Sequence, residues 1–220
     1  MKINSVTFFL ILGLIIIGQQ AVGQSIYYER RVSLFEKLPI NSNDIVFLGN
    51  SITDGAEWAE LFNQCNIKNR GISGDIIQGI IDRLDPIVKG KPAKLFLLIG
   101  INDISRDIPQ DSVVNNIAQI IDRFQKESGN TGIYLQSILP VNDNYSNFKK
   151  HVVHWAMIPE INRKLKDLAA SRNITYLDLF SHFTDETGFK LNKNYTNDGL
   201  HLTGSGYVRW AELIEGYVKE

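Results

Sequence analysis

The sequence predicts an α/β fold, a three-layer α/β/α sandwich around a five-stranded, mostly parallel sheet of the flavodoxin-like kind. Three observations lead there. Short apolar runs rich in β-branched and aromatic residues recur, among them IVFL over 45–48 and KLFLLI over 94–99. Between the runs lie longer stretches whose apolar residues fall at helical spacing, as Val113, Ile117, Ile120, Ile121 and Phe124 do. Strands alternating with helices pair in parallel through right-handed crossovers, and the crossovers cover both faces of the sheet.

In chain order, residues 1–23 are set apart from that fold. Lys2 precedes an apolar run over 6–17, and Ala21 and Gly23 place small residues three and one positions before a cut. This is the layout of a secretory signal peptide, and the run falls short of the roughly 18 apolar residues of a spanning helix. The expected mature chain is a single domain over 24–220, secreted or periplasmic, with no stable membrane insertion after cleavage. An uncleaved anchor is the alternative. Cys65 is the only cysteine, so no internal disulfide can form and no cysteine stands at the cut for a lipid. With no basic or histidine neighbour it reads as a packing residue. Asn-x-Ser/Thr triplets at Asn144, Asn173 and Asn194 matter only in a eukaryotic secretory pathway.

Apolar residues make up 44% of the chain, enough for a core, and a net charge of -1 with interspersed signs gives no footprint for nucleic acid or an anionic membrane. Residues 27–38 read as an amphipathic lead-in helix with Tyr28, Val32 and Phe35 or Leu34 on one side, closed by Pro39. The first strand, 44–48, ends at Gly49, which permits a sharp turn and presents Ser51 at the carboxyl edge of the sheet. That edge is where open α/β sheets bind ligands. Residues 57–62 form a short helix and Ile67 lies in a brief second strand. Asp75 then reads as an N-cap with Gln78 at N3, a variant capping box, ahead of Ile76, Ile77, Ile80, Ile81 and Leu84; Pro86 limits that helix. The third strand is 94–99, the fourth 132–139 and the fifth 174–179, with Asp178 structural. Helices are expected around 113–124, 158–168 and 207–218, a polar stretch at 140–150 and an irregular one at 194–203.

Four polar segments fall where a strand ends or shortly before a helix begins: Gly49-Asn50-Ser51-Ile52, Gly71-Ile72-Ser73-Gly74-Asp75, Gly100-Ile101-Asn102-Asp103 and Asp198-Gly199-Leu200-His201. In a parallel sheet the first three emerge on one edge. The fourth supplies an acid and a histidine three residues apart. Together they hold the parts of a hydrolytic site: a hydroxyl, a base, an orienting carboxylate, a tight backbone and a side-chain amide.

In order and separation these segments resemble the blocks of the SGNH (GDSL-type) hydrolase superfamily, across residues 44–201. Asn-x-Gly-x-x-Gly-Asp over 69–75 resembles the branch of the platelet-activating-factor acetylhydrolase catalytic subunits and bacterial acetylesterases. The resemblance implies the SGNH hydrolase fold, a serine hydrolase acting on esters, and no cofactor. It implies Ser51 as nucleophile, His201 as general base and then acid, and Asp198 as the group that orients the imidazole. The oxyanion donors would be the backbone N–H groups of Ser51 and Gly74 and the side-chain amide of Asn102. One departure is Asn50, where the family usually has aspartate; it is expected to shape the turn.

Other features read more simply. Asp103 caps or braces a loop. Gly71 to Gly74 could form an anion nest, but no GxGxxG and no Lys-Ser/Thr follows. His151 and His154 are spaced like two ligands on a helical turn without an evident third, so no metal is expected and surface or cleft positions suit them better. Trp58 and Trp210 suit the core or a cleft wall, and Trp155 is the candidate substrate-lining ring. The expected function is an exported esterase that removes a short acyl group, acetyl by analogy with exported relatives, from a small-molecule or glycan ester. The alternatives are a lysophospholipase or thioesterase with a longer acyl pocket, and a non-catalytic glycan-binding protein on the same fold.

Overall fold

Five short strands build the centre: Ile45–Gly49 (β1), Ile67–Gly71 (β2), Lys94–Leu98 (β3), Gly132–Gln136 (β4) and Thr175–Leu177 (β5). All four pairings are parallel, in the order β2-β1-β3-β4-β5. The structure, a computed structural model, describes residues 26–220. The expected signal segment, 1–23, and the cut before Gln24 lie outside the described residues. By contacts the chain falls into one unit ending at Leu38 and a second over Pro39–Glu220. In the first, residues 26–37 form a helix (α1), where Leu34 is exposed, Phe35 is buried and the Arg31 guanidinium stands 4.7 Å from the Phe35 ring centre.

In the second unit the strands are joined by Ser51–Asp54 (α2) and Trp58–Leu61 (α3), Ile77–Asp82 (α4) and Asp85–Gly90 (α5), and Ile101–Ile104 (α6) and Gln110–Glu127 (α7). Beyond β4 come Lys149–Val152 (α8), a single 3-10 turn at Trp155–Met157 and Ile158–Ser171 (α9), and beyond β5 come Phe180–Phe183 (α10) and Gly204–Lys219 (α11). Because β2 lies on one side of β1 and the later strands on the other, right-handed crossovers put α4, α5, α7 and α9 on one face. These helices pack against one another there.

The opposite face carries an aromatic row. Phe47, Phe96 and Tyr134 are register partners on β1, β3 and β4, and their rings stack with centres 4.8 and 4.6 Å apart. Trp58 of α3 stacks on Phe47 at 4.2 Å, and Trp210 of α11 meets Trp58 edge-on at 4.8 Å. Opposed rings on neighbouring strands add favourable contact beyond the area they bury. Trp210 also donates to Gln136 Oε1 at 2.8 Å, so its buried N–H is satisfied. Both tryptophans belong to the core.

The sequence places several boundaries differently. The fourth strand stops at Gln136 instead of 139, because Asn162 of α9 replaces a strand neighbour at Ile138. Its Oδ1 accepts from Ile138 N at 2.8 Å and its Nδ2 donates to Ile138 O at 2.9 Å. The capping box is absent: α4 begins at Ile77, Gln78 turns to Asp82 at 2.8 Å, and the N-terminus of α4 is capped by Asp103 from another element. Pro86 lies in the first turn of α5, where its missing N–H costs nothing, so it opens a helix as well as closing one. Cys65 is exposed, which overturns its reading as a packing residue. The triplet asparagines Asn144, Asn173 and Asn194 are exposed. Among the described residues no helix is long and apolar enough to cross a membrane.

Candidate active site

The segment after β1 owes its shape to a close approach. A Cβ on Gly49 would lie 2.2 Å from Thr53 Oγ1 and 2.3 Å from Leu98 O, while its φ is outside the left-handed range. Glycine is therefore needed there because β1, β3 and α2 meet at one point, and not for a special turn conformation. Asn50, fully buried, caps α2 by accepting from Ile52 N at 3.0 Å; its Nδ2 is buried without a partner. Ser51 is the first residue of α2, so its N–H is one of those a helix start leaves free of helical bonds.

So short a helix needs outside support. Asn69 Nδ2 faces the carbonyl oxygens of Thr53, Asp54 and Ala56 at 3.0 to 3.1 Å, and Asn69 Oδ1 accepts from Gly71 N at 2.8 Å. Trp58 Nε1 donates to Thr53 O at 2.9 Å and Tyr207 Oη to Ile52 O at 3.0 Å. Burial pushes the Tyr207 phenol up to about 12, which keeps it a donor.

The loop before α11 brings the base to Ser51. Asp198 Oδ1 accepts from Leu200 N at 2.9 Å and His201 N at 2.8 Å, folding the loop back on itself. Its Oδ2 lies 2.7 Å from His201 Nδ1, and His201 Nε2 lies 3.0 Å from Ser51 Oγ. A carboxylate at Nδ1 assigns the proton to that nitrogen and leaves the Nε2 lone pair facing the hydroxyl. Burial alone would raise the Asp198 carboxyl, but hydrogen bonds from the His201 ring and from two backbone N–H groups outweigh it and hold it below the usual range. The group is anionic at neutral pH.

The third part lies past β2 and β3. Asn102, buried in α6, donates from Nδ2 to Asp75 O at 2.7 Å, and its Oδ1 lies 2.9 Å from His151 Nε2. Gly74, immediately before Asp75, has φ +81°, a conformation L side chains rarely adopt. Beneath them the Asp75 carboxylate pairs with Arg83 at 2.9 Å, and Arg83 Nη2 donates to Gly49 O at 3.2 Å. Asp103 accepts from Ile77 N at 3.2 and 3.3 Å. Burial pushes both Asp75 and Asp103 up to about 6, against Arg83 in the first case and the Ile77 N–H in the second.

A hydroxyl, an imidazole and a carboxylate in one hydrogen-bonded chain, beside a buried amide, can carry out acyl transfer. Residues 47–209 match the family described as GDSL-like Lipase/Acylhydrolase. The chain belongs to that family.

As a GDSL-like acylhydrolase it falls among carboxylic ester hydrolases, and solved structures agree in fold. A Streptococcus pneumonia protein provisionally described as a platelet activating factor is 30% identical with a TM-score of 0.75, covering 98% of this chain and 100% of that one. A GDSL-like lipase from Bacteroides thetaiotaomicron is 24% identical with a TM-score of 0.74, covering 87% and 97%. A catalytic mutant of an acetylxylan esterase from Geobacillus stearothermophilus is 17% identical with a TM-score of 0.65, covering 81% and 95%. Among curated proteins, platelet-activating factor acetylhydrolase IB subunit alpha2 of Rattus norvegicus is 24% identical over 173 residues, 76% of this chain and 72% of the relative. An N-acylneuraminate cytidylyltransferase of Escherichia coli is 25% identical over 186 residues, 80% of this chain; the chain spans 41% of that relative's length.

In this acylhydrolase the residues expected in the site divide into two linked groups. Ser51, His201 and Asp198 are joined directly; Gly74 and Asn102 are joined through Asp75. Trp155 is half-buried, with Phe189 at 6.1 Å and Lys190 Nζ at 5.7 Å from its ring centre. The ring that meets His201 is Phe148, edge-on at 4.9 Å, on a backbone with φ +50°. His154 Nε2 is 3.7 Å from Asp107, and among the described residues no cluster of three or more ligating side chains could hold a metal. Sequence reasoning left Asn69, Arg83, Phe148 and the His151–Asn102 bond without roles. Neither Arg83, flanked by the charged Asp82 and Asp85, nor Phe148, in a polar loop, carried a signal.

Proposed function

We propose that this acylhydrolase is an exported serine esterase that removes short acyl groups, acetyl foremost, from carbohydrate esters. The observation that carries the serine mechanism is the unbroken chain Ser51 Oγ, His201, Asp198, with links of 3.0 and 2.7 Å. Ser51 Oγ adds to the ester carbonyl as His201 Nε2 takes its proton. The tetrahedral oxyanion is received by the Ser51 and Gly74 N–H groups and the free Asn102 amide proton. Its collapse expels the alcohol, which takes the proton back from His201. Water, deprotonated by the same imidazole, then releases the acid and restores Ser51.

Support for a short acyl group comes from the Phe148 ring at 4.9 Å from His201, which crowds the base, and from the acetylhydrolase name of the curated relatives. Support for a sugar leaving group comes from the Trp155 and Phe189 rings, Phe189 being 50% exposed, and from the acetylxylan esterase among the structural neighbours. Export rests on the layout of residues 1–23.

The test is hydrolysis of p-nitrophenyl esters from acetate to octanoate and of acetylated xylo-oligosaccharide, with Ser51→Ala alongside. Activity confined to the short esters and the acetylated sugar, and lost in the variant, is the expected result. Preference for octanoate would replace the acetyl reading with a lipase-like one, and no turnover of any ester would sink the enzyme reading.

A further inference from the structure

We propose that His151 is a positioning residue for the Asn102 amide, fixing the plane in which that amide presents its remaining N–H to the substrate oxygen. The proposal rests on the reading of Asn102 as an oxyanion donor. The main-chain oxygen of Asp75 can only accept, so the Asn102 atom 2.7 Å away is Nδ2. The other amide atom is then Oδ1, also an acceptor, and the atom 2.9 Å from it is His151 Nε2. That nitrogen must carry a proton.

The rest of the ring agrees with this tautomer. His151 Nδ1 is buried and has no partner, the arrangement expected of the unprotonated nitrogen. Burial, followed by the nearby His201, Arg106 and His154, holds the imidazole below its ordinary range and so neutral. Asn102 thus spends one amide proton on Asp75, receives one bond at Oδ1, and keeps one proton free. With Asp75 alone the amide could swing about its single anchor. With two anchors on its two ends the plane is set before substrate arrives, which is the preorganisation an oxyanion donor needs.

The segment that supplies His151 also reaches the other half of the site. His151 is the third residue of α8, and Phe148, just before that helix, meets the rings of both His151 and His201 at 5.9 and 4.9 Å. One short stretch therefore touches the amide's support and the general base.

The experiment compares His151→Phe, His151→Gln, Asn102→Ala and the double variant Asn102→Ala/His151→Phe on a short ester, with thermal melting to check folding. For His151→Phe, kcat should fall by about ten- to a hundred-fold with KM little changed. His151→Gln, whose amide N–H2 can stand where Nε2–H stood, should recover most of that loss. In the Asn102→Ala background His151→Phe should cost nothing further. A wild-type kcat in His151→Phe, or a full further loss in the double variant, would overturn the proposal. Independently of turnover, 15N NMR of the histidine rings should show His151 as the Nε2–H tautomer; a bare Nε2 would sink the idea even if every variant were folded. Failure of the unmodified protein to cleave any ester would instead remove the esterase reading, with the NMR result still deciding the His151–Asn102 bond.

Discussion

Asn102 shows how little chemistry a single residue type specifies until its partners are known. An asparagine after a strand is an ordinary turn residue. Here it is buried, tied to Asp75 O and His151 Nε2, and left with one free amide proton. Asn102→Ala should lower kcat by about a hundred- to a thousand-fold while the protein still melts cooperatively, the loss expected when a proposed oxyanion donor is deleted. Steady-state kinetics beside a melting curve decides this, and an unchanged kcat would remove Asn102 from the site. Ser51, Asp198, His201, Gly74 and Asn102 could be named as candidates because each sits in a short polar segment in a recognisable order. The His151–Asn102 contact could not be, because His151 lies outside those four segments and only the fold brings Asn102 to it. Nothing local distinguishes a histidine that meets an amide from one that meets water.

At the scale of elements, the four-residue helix that starts with Ser51 is held by groups outside it. Asn69 faces two of its terminal carbonyls, Thr53 and Asp54, and that of Ala56 just past it, and β2 runs so close beneath it that a Cβ on Gly71 would lie 2.2 Å from Asp54 N. That contact is with backbone, so no side chain can move aside. Gly71→Ala should displace α2, and Asn69→Ala should leave its carbonyls short of a partner at a cost of about 1 to 3 kcal/mol. Both variants should lose stability and, because Ser51 rides on α2, lose more kcat than KM. Normal kcat in a destabilised Asn69→Ala would show that α2 keeps its place without this support. The misread elements share a cause. Gly49 resembled a turn residue and Asp75 a helix cap, since local pattern suggests the nearest partner. The actual partners, Thr53 and Leu98 for one and Arg83 for the other, are chosen by how elements pack.

Across the whole molecule, two buried carboxyls under the site tie stability to pH. Asp75 and Asp103 are pushed by burial from 3.8 to about 6, so between those values the folded chain binds more protons than the unfolded one. Stability from these groups is then present at the acid end and declines as pH rises from about 4 to about 6. Asp103→Asn keeps one acceptor for Ile77 N without the charge. Its melting temperature relative to the unmodified protein should rise across that window, and a constant difference would contradict the shift. The slope should shrink without vanishing, because Asp75 contributes with the same sign.

What the sequence by itself determined was the class of fold, through the alternation of strand-like and helical apolar patterns; it also named the candidate reacting groups, through polar segments at strand ends. Those are local properties, carried by side-chain period and by residues that turns and caps require. Tertiary structure alone decided the strand order, the 3.0 Å approach of His201 to Ser51 across 150 residues, and the contact of Asn102 with His151. These depend on which surfaces bury one another and on which buried donor must find an acceptor, conditions that exist only once the chain has closed on itself.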